Sequence, residues 1–304
     1  MQMRAANTSM VLRWALIATL AYIVVTAVAG LRAHSLALIS EAGHNFSDFL
    51  ALLLSLVAVY FQSRPPSSTK TFGYQRSGVL AAFVNAIMLV GLSFYIFYEA
   101  VHRLYMPVEV HARVMIYVAA VGVVMNGAIA LALYGSSRDL NIRSAFLHEI
   151  GDTLSTAAVI AGGWAILATG RYRIDSVLSF GIGALILWSA MAIIRETLNI
   201  LLEGTPRGMS LAHVSEEIAR TEGVLDVHDL HVWSLGAQTH ALSCHIRIAD
   251  IPPSASERIL REVTHRLAQR FHINHTTIQF EHVVCDIAHG CVIPVEDHPH
   301  SHTH

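Results

Sequence analysis

Two short stretches of the chain carry residue types and a spacing suited to metal chemistry: His44-Asn45-Phe46-Ser47-Asp48 and His148-Glu149-Ile150-Gly151-Asp152. Each reads H-x-x-x-D inside a long apolar run. On a helix, residues i and i+4 share a face and sit about 5–6 Å apart. Each stretch therefore offers one imidazole and one carboxylate on one side. Two such helices side by side supply two nitrogens and two oxygens, a donor set for tetrahedral zinc. Ionisable groups at membrane depth are costly and are functional candidates by default. One copy alone reads equally well as a satisfied structural pair; two copies in two apolar segments favour a site. Glu41, Asn45 and Glu149 flank the motifs as supports for the ligands or as steps on a proton path. The second motif is also close to the metalloprotease pattern H-E-x-x-H, with Asp152 for the second histidine. An intramembrane zinc hydrolase with Glu149 as general base is thus one alternative. It suffers because the other helix would fill the coordination shell and leave no open position for water. A metal sensor without transport is the second alternative.

The elements that must position these motifs follow from hydropathy. Six apolar helices are expected, at about 11–30, 35–61, 78–105, 114–134, 144–169 and 174–202. Most are long enough to cross the hydrocarbon core, which takes about 20 residues. Arg64-Pro65-Pro66-Ser67-Ser68-Thr69-Lys70 and Gly135-Ser136-Ser137-Arg138-Asp139 are loops. The first apolar stretch lacks a small-residue cleavage site and reads as a retained membrane helix, not a signal peptide. Six crossings put both termini on one side. That side carries Arg4, Arg13, Arg64, Lys70, Arg76, Arg138, Arg143 and Arg195, against Arg32, Arg103, Arg113, Arg171 and Arg173 on the other. The bias places both termini in the cytoplasm, in a plasma (bacterial inner) membrane.

Composition agrees with a membrane protein. The chain has 304 residues, 54% hydrophobic and 14% charged, against about 25% charged in soluble domains. A net charge of −2 with no basic run argues against nucleic acid as a partner. Three cysteines are too few for a disulfide framework. The histidines are skewed: five precede residue 204 and 14 follow it, which points to metal handling in the C-terminal part.

From Thr205 the composition turns soluble. Ser210–Arg220 and Ser254–Phe271 read as amphipathic helices. Val224–Leu235, Thr239–Ile248 and Thr276–Val283 read as strands. The order α-β-β-α-β predicts a small α+β, ferredoxin-like domain with helices on one face of an open sheet. The expected organisation is a transport domain over 1–204, a cytoplasmic metal-binding and dimerisation domain over 205–286, and a His-rich, disordered tail over 287–304.

With these residues in place, the chain resembles the cation diffusion facilitator family, in its zinc/cobalt/cadmium resistance branch. The paired motifs carry the resemblance, together with 35–42 (SLALISEA), Thr71-Phe72-Gly73-Tyr74 with Arg76, and Asn199–Gly204 (NILLEG). Val227–Ser234 (VHDLHVWS) and Thr276–Glu281 (TTIQFE) carry it in the C-terminal part. The resemblance implies a homodimeric metal/proton antiporter in the lipid bilayer, working by alternating access. It implies zinc as transported substrate and as regulatory ligand, with cobalt or cadmium as further substrates. His44, Asp48, His148 and Asp152 would form the transport site. His228, His245, His275 and Glu281 match cytoplasmic zinc positions, and Cys285 and Cys291 could complete that set. His231 faces away from His228 only in a regular strand. Arg76 and Glu203 match a charge pair joining the third helix to the end of the last. The chain lacks the metal residues that some relatives carry between the second and third helices, and the His-rich insert that others carry between the fourth and fifth. If that insert delivers metal in those relatives, the terminal histidines are expected to take its place here. His34, His102 and His111 read as interface residues near helix ends.

Overall fold

The computed structural model describes residue 17 and residues 19–62, 64–134, 140–236 and 239–283; a few side chains within those ranges, His148's among them, are outside the described set. Six helices come first: α1 (Thr19–Arg32), α2 (Leu36–Gln62), α3 (Ser77–Tyr105), α4 (Ala112–Tyr134), α5 (Leu140–Thr169) and α6 (Arg173–Leu201). Among the described residues, four stretches are long and apolar enough to cross a membrane: Ser77–Tyr105, Ala112–Leu131, Glu149–Thr169 and Arg173–Leu201. α1 and α2 complete the membrane domain, and α2 carries Glu41, His44 and Asp48 in its interior. α5 begins at Leu140, earlier than the expected Ser144. Nothing in Leu140-Asn141-Ile142-Arg143 breaks a helix.

Two links are tight. Between α1 and α2 the chain reverses with His34 in the left-handed region, φ 52°. There Ser35 N bonds to Gly30 O at 3.0 Å, and a Cβ on Gly30 would meet Ile39 Cγ1 at 2.9 Å. Glycine is what lets the two helices approach. Between α5 and α6, Gly170 takes φ 65° and donates its N–H to Ile166 O at 2.8 Å, the usual left-handed stop of a helix. The membrane domain's core holds Leu38, Ile96, Met115, Val159, Ile182 and Ile186. Large side chains elsewhere on these helices are exposed, such as Tyr98, Val124, Leu154 and Trp188. Apolar residues all round a helix are what a lipid solvent requires.

The soluble part follows as α7 (Leu211–Ala219), β1 (Val224–Ser234), β2 (His240–Ile248), α8 (Pro253–Phe271) and β3 (Ile273–Glu281). The sheet order is β1-β2-β3; β1 and β2 are antiparallel, β2 and β3 parallel. Along β2, Leu242, Cys244, Ile246 and Ile248 are buried with Val214 and Ile218 of α7 and Ile259, Val263 and Leu267 of α8. The period of two then sends Ser243, His245 and Arg247 to the opposite face. Ser210 caps α7, taking the His213 N–H at 3.5 Å. His272 closes α8 in the left-handed region and turns the chain directly into β3. β3 therefore starts at Ile273 rather than the expected Thr276. The chain divides into two compact units: Met1–Ser63 with Leu80–Glu196, and Arg64–Val79 with Thr197–His304. The loop after α2 thus goes with the C-terminal unit.

Candidate metal centres

In the membrane unit, the 3.6-residue period puts His44 one turn before Asp48 on α2. His44 Nε2 lies 3.0 Å from Asp152 Oδ1 on α5 and 3.6 Å from Asp48 Oδ2. The three ligand atoms sit within 4.8 Å of one another, the compass of one metal ion. His148 is on α5 one turn before Asp152, so its Cα is on the same helix face. One turn before His44 on α2 and one turn after Asp152 on α5 is a second tie. The Thr156 hydroxyl lies 2.6 Å from Glu41 Oε1 and 2.7 Å from Asp152 O. Glu41 is almost fully buried, and its Oε2 has no hydrogen-bond partner among the described residues. Asn45 Nδ2 and the Tyr22 hydroxyl are likewise buried without partners. A group of buried polar side chains, Glu41 and Thr156 among them, therefore adjoins the His44–Asp152 pair. Glu149 lies on α5, where its backbone carbonyl accepts the Thr153 hydroxyl at 2.7 Å.

In the C-terminal unit, His228 pairs with His245 across the β1–β2 ladder, and their rings meet edge-to-face at 5.5 Å. Glu281, from β3, reaches both: Oε2 is 3.0 Å from His228 Nε2 and Oε1 is 3.0 Å from His245 Nδ1. These three form the second group able to hold a metal. His228 Nδ1 is buried and makes no hydrogen bond; Asp226 Oδ2 lies 3.3 Å away, off the direction a bond needs. The Nε2 of His228 is the nitrogen that faces the Glu281 carboxylate next to the His245 ring, and two imidazoles with a carboxylate are a donor set suited to a metal ion.

His275 stands apart from this cluster. The parallel register places it opposite Ala241, four residues along β2 from His245, or about 13 Å at the strand rise. It is exposed, edge-on to Phe72 at 5.1 Å. Cys285 and Cys291 lie outside the described residues. Cys244 points to the helices, and burial followed by the nearby Asp229 pushes its thiol up to about 12. Two residues missed in the sequence belong beside the cluster. Asp229 sits at a break in the β1 register with φ 50°; its carboxylate contacts His231 Nε2 at 3.0 Å and His245 Nε2 at 3.8 Å. Asp226 is the other. Only an aspartate tolerant of positive φ inside a strand could have signalled the bulge. That bulge also means β1 is irregular between His228 and His231. In the same unit, Arg76 Nη2 donates to Glu203 Oε1 at 3.1 Å. Both side chains are partly solvated, so the pair contributes little on its own.

Residues 12–202 match the family model described as the cation efflux transmembrane domain, and residues 206–283 match the cation efflux protein cytoplasmic domain. The chain is 37% identical over 278 residues to the metal cation efflux system protein CzcD of Cupriavidus metallidurans, covering 91% of this chain and 88% of that one. It is 36% identical over 264 residues to the cadmium, cobalt and zinc/H(+)-K(+) antiporter of Bacillus subtilis, covering 86% and 85%. It is 35% identical over 303 residues to the zinc transporter ZitB of Escherichia coli, covering 98% and 95%. A solved metal-bound C-terminal domain of the CzcD transporter is 38% identical, covering 24% of this chain and 99% of that one, with a TM-score of 0.22. The chain belongs to the cation efflux family. Its activity is therefore metal-cation efflux through a multi-pass membrane domain, and it is not an enzyme. The hydrolase and the non-transporting sensor are not favoured.

Proposed function

We propose that this transporter moves divalent metal, zinc first, out of the cytoplasm across the plasma (bacterial inner) membrane in exchange for protons. Its ligands are His44, Asp48, His148 and Asp152. The observation that carries the reading is the convergence of His44, Asp48 and Asp152 within 4.8 Å, from two helices, in a membrane domain. Two nitrogens and two carboxylate oxygens suit zinc and cobalt, and the absence of thiolate disfavours copper(I). The relatives named for zinc, and for cadmium, cobalt and zinc, support the same substrate class. The proposed organisation is a transport domain over 1–204, a cytoplasmic domain over 205–286 and a His-rich tail over 287–304, with both termini cytoplasmic.

Charge arithmetic gives the coupling. Zinc with two carboxylates and two neutral imidazoles sums to 2 − 2 = 0. Two bare carboxylates in a poorly hydrated site are expensive. Protonating both histidines returns the sum to zero, and metal must displace those protons, because only neutral imidazole ligates. The cycle is one zinc out for up to two protons in. The cytoplasmic group, His228, His245 and Glu281, binds a regulatory metal ion in a homodimer, and Arg76–Glu203 braces the membrane end of that dimer. His148→Ala should abolish zinc accumulation in inverted vesicles with folding intact; normal accumulation would overturn the assignment. In proteoliposomes, zinc flux that ignores an imposed pH gradient would end the antiport reading. Flux driven strongly by membrane potential alone would rule out the two-proton, charge-neutral form.

A further inference from the structure

We infer that Asp175, at the start of α6, is a positioning residue for the transport site, acting as the N-terminal cap of α2. A helix start leaves its first N–H groups without partners, and a neighbouring oxygen must take them. Here the oxygen comes from another helix 139 residues further along the chain. Leu36 N donates to Asp175 Oδ2 at 2.7 Å, and Ala37 N donates to Oδ1 at 3.3 Å. The Ser35 hydroxyl donates to Oδ1 at 2.6 Å, while its oxygen accepts from Leu38 N at 3.3 Å. Asp175 and Ser35 are both fully buried. The carboxylate also lies in the first turn of its own helix, so the positive ends of two helix dipoles converge on one negative charge. Bonds of this kind, with an ionised acceptor shielded from water, are the strong class.

The cap belongs to a wider clamp on the turn before α2. Arg103 Nη1 of α3 donates to His34 O at 2.6 Å, and His111 N, at the α4 entrance, donates to Ala33 O at 2.9 Å. Arg103 is itself held by Glu99 at 2.8 Å. Residues 33–37 are thus fixed by α3, by the α3–α4 link and by α6. His44 lies nine residues beyond Ser35, about 14 Å up the same helix axis. A rigid helix with a fixed start presents His44 and Asp48 at one height and one rotation. The Thr156–Glu41 and His44–Asp152 contacts then meet them from α5. Freed at its start, α2 can slide or rotate about that axis, and the metal ligands spread.

The inference rests on the transport-site reading and makes a separate demand. The test is zinc uptake by the full chain in proteoliposomes, with KM and kcat resolved for Asp175→Ala, Asp175→Asn, Ser35→Ala and His44→Ala. Asp175→Ala should raise KM about tenfold, the scale of a lost charge-assisted bond, with kcat changed by no more than about twofold. Asp175→Asn keeps the shape and one acceptor oxygen, and should fall between it and wild type. A role in folding alone would lower thermal stability and leave the KM of the folded protein unchanged. An unchanged KM in Asp175→Ala, or a loss confined to kcat, overturns the positioning role. If Asp175→Ala does not reach the membrane, Asp175→Asn and Ser35→Ala decide it: a raised KM in either supports the cap, and wild-type KM in both overturns it. His44→Ala separates the two readings. Normal uptake by that variant overturns the site itself. Lost uptake there, with wild-type KM in the Asp175 variants, overturns only the cap.

Discussion

His44 on α2 and Asp152 on α5, 108 residues apart in the chain, bring an imidazole nitrogen and a carboxylate oxygen to 3.0 Å. Asp48 joins them from the next turn of α2. Asp152→Asn keeps the side-chain volume and removes the negative charge that the site uses against a dication. It should lower kcat/KM for zinc uptake about 100-fold, as loss of one member of a buried charge set does. Uptake within about threefold of wild type, on that same scale, would exclude Asp152 as a ligand.

His228, His245 and Glu281 come from three strands: the Glu281 carboxylate lies 3.0 Å from a nitrogen of each imidazole, and the two rings meet edge-to-face at 5.5 Å. Glu281→Gln should lower by one the zinc ions retained per full-length chain after desalting, measured by elemental analysis. Transport should persist, because the membrane ligands are untouched. His275→Ala should retain the full zinc count, since the β2–β3 register holds His275 away from the group. A lost zinc in His275→Ala would mean that the cytoplasmic centre recruits it when metal binds.

Cys244 is buried beneath α7 and α8, and burial with Asp229 pushes its thiol up to about 12. In a Cys285→Ser, Cys291→Ser background, maleimide should fail to label the native chain at pH 7.5 and should label it after denaturation. The folded state holds this proton more tightly than the unfolded state does. The contribution to stability is therefore present below the unfolded thiol's value, about 8.5, and is lost as pH rises toward about 12. Rapid native labelling would place Cys244 on the surface.

His240 begins β2 beside Ser234, whose Oγ lies 3.3 Å from its Nδ1. Burial, and then the neighbouring His272, hold its imidazole below the usual histidine range. The unfolded chain thus binds this proton first on acidification. The stabilising contribution is complete above about pH 6.5 and is lost as pH falls below it. His240→Gln should make thermal stability less sensitive to acid over that window, read by melting at stepped pH. An unchanged acid profile would show that His240 titrates as in the unfolded chain.

Much of this protein is legible in the residue order, for identifiable reasons. Apolar runs of membrane length report α3 to α6 directly, because lipid demands apolar surface on every side. The spacing of His44 to Asp48 and of His148 to Asp152 reports a shared helix face, because a helix repeats every 3.6 residues. Alternation along β2 reports which of Cys244 and His245 faces the helices, because a strand repeats every two. Less legible were the start of β3 and the break in β1. Both depend on a residue other than glycine taking positive φ, His272 in one case and Asp229 in the other.

The sequence by itself determined the six-helix and α-β-β-α-β order, the faces that carry the metal-ligating residues, and the family. These are properties of local period and composition, which act over a few residues. Tertiary structure alone decided which residues meet. It set Asp152 of α5 against His44 of α2, and it put Glu281 between His228 and His245 while the same sheet register carried His275 away. It also brought Asp175 to the start of α2. Each depends on the register between elements far apart in the chain, and that register is settled by packing and by buried polar groups finding partners.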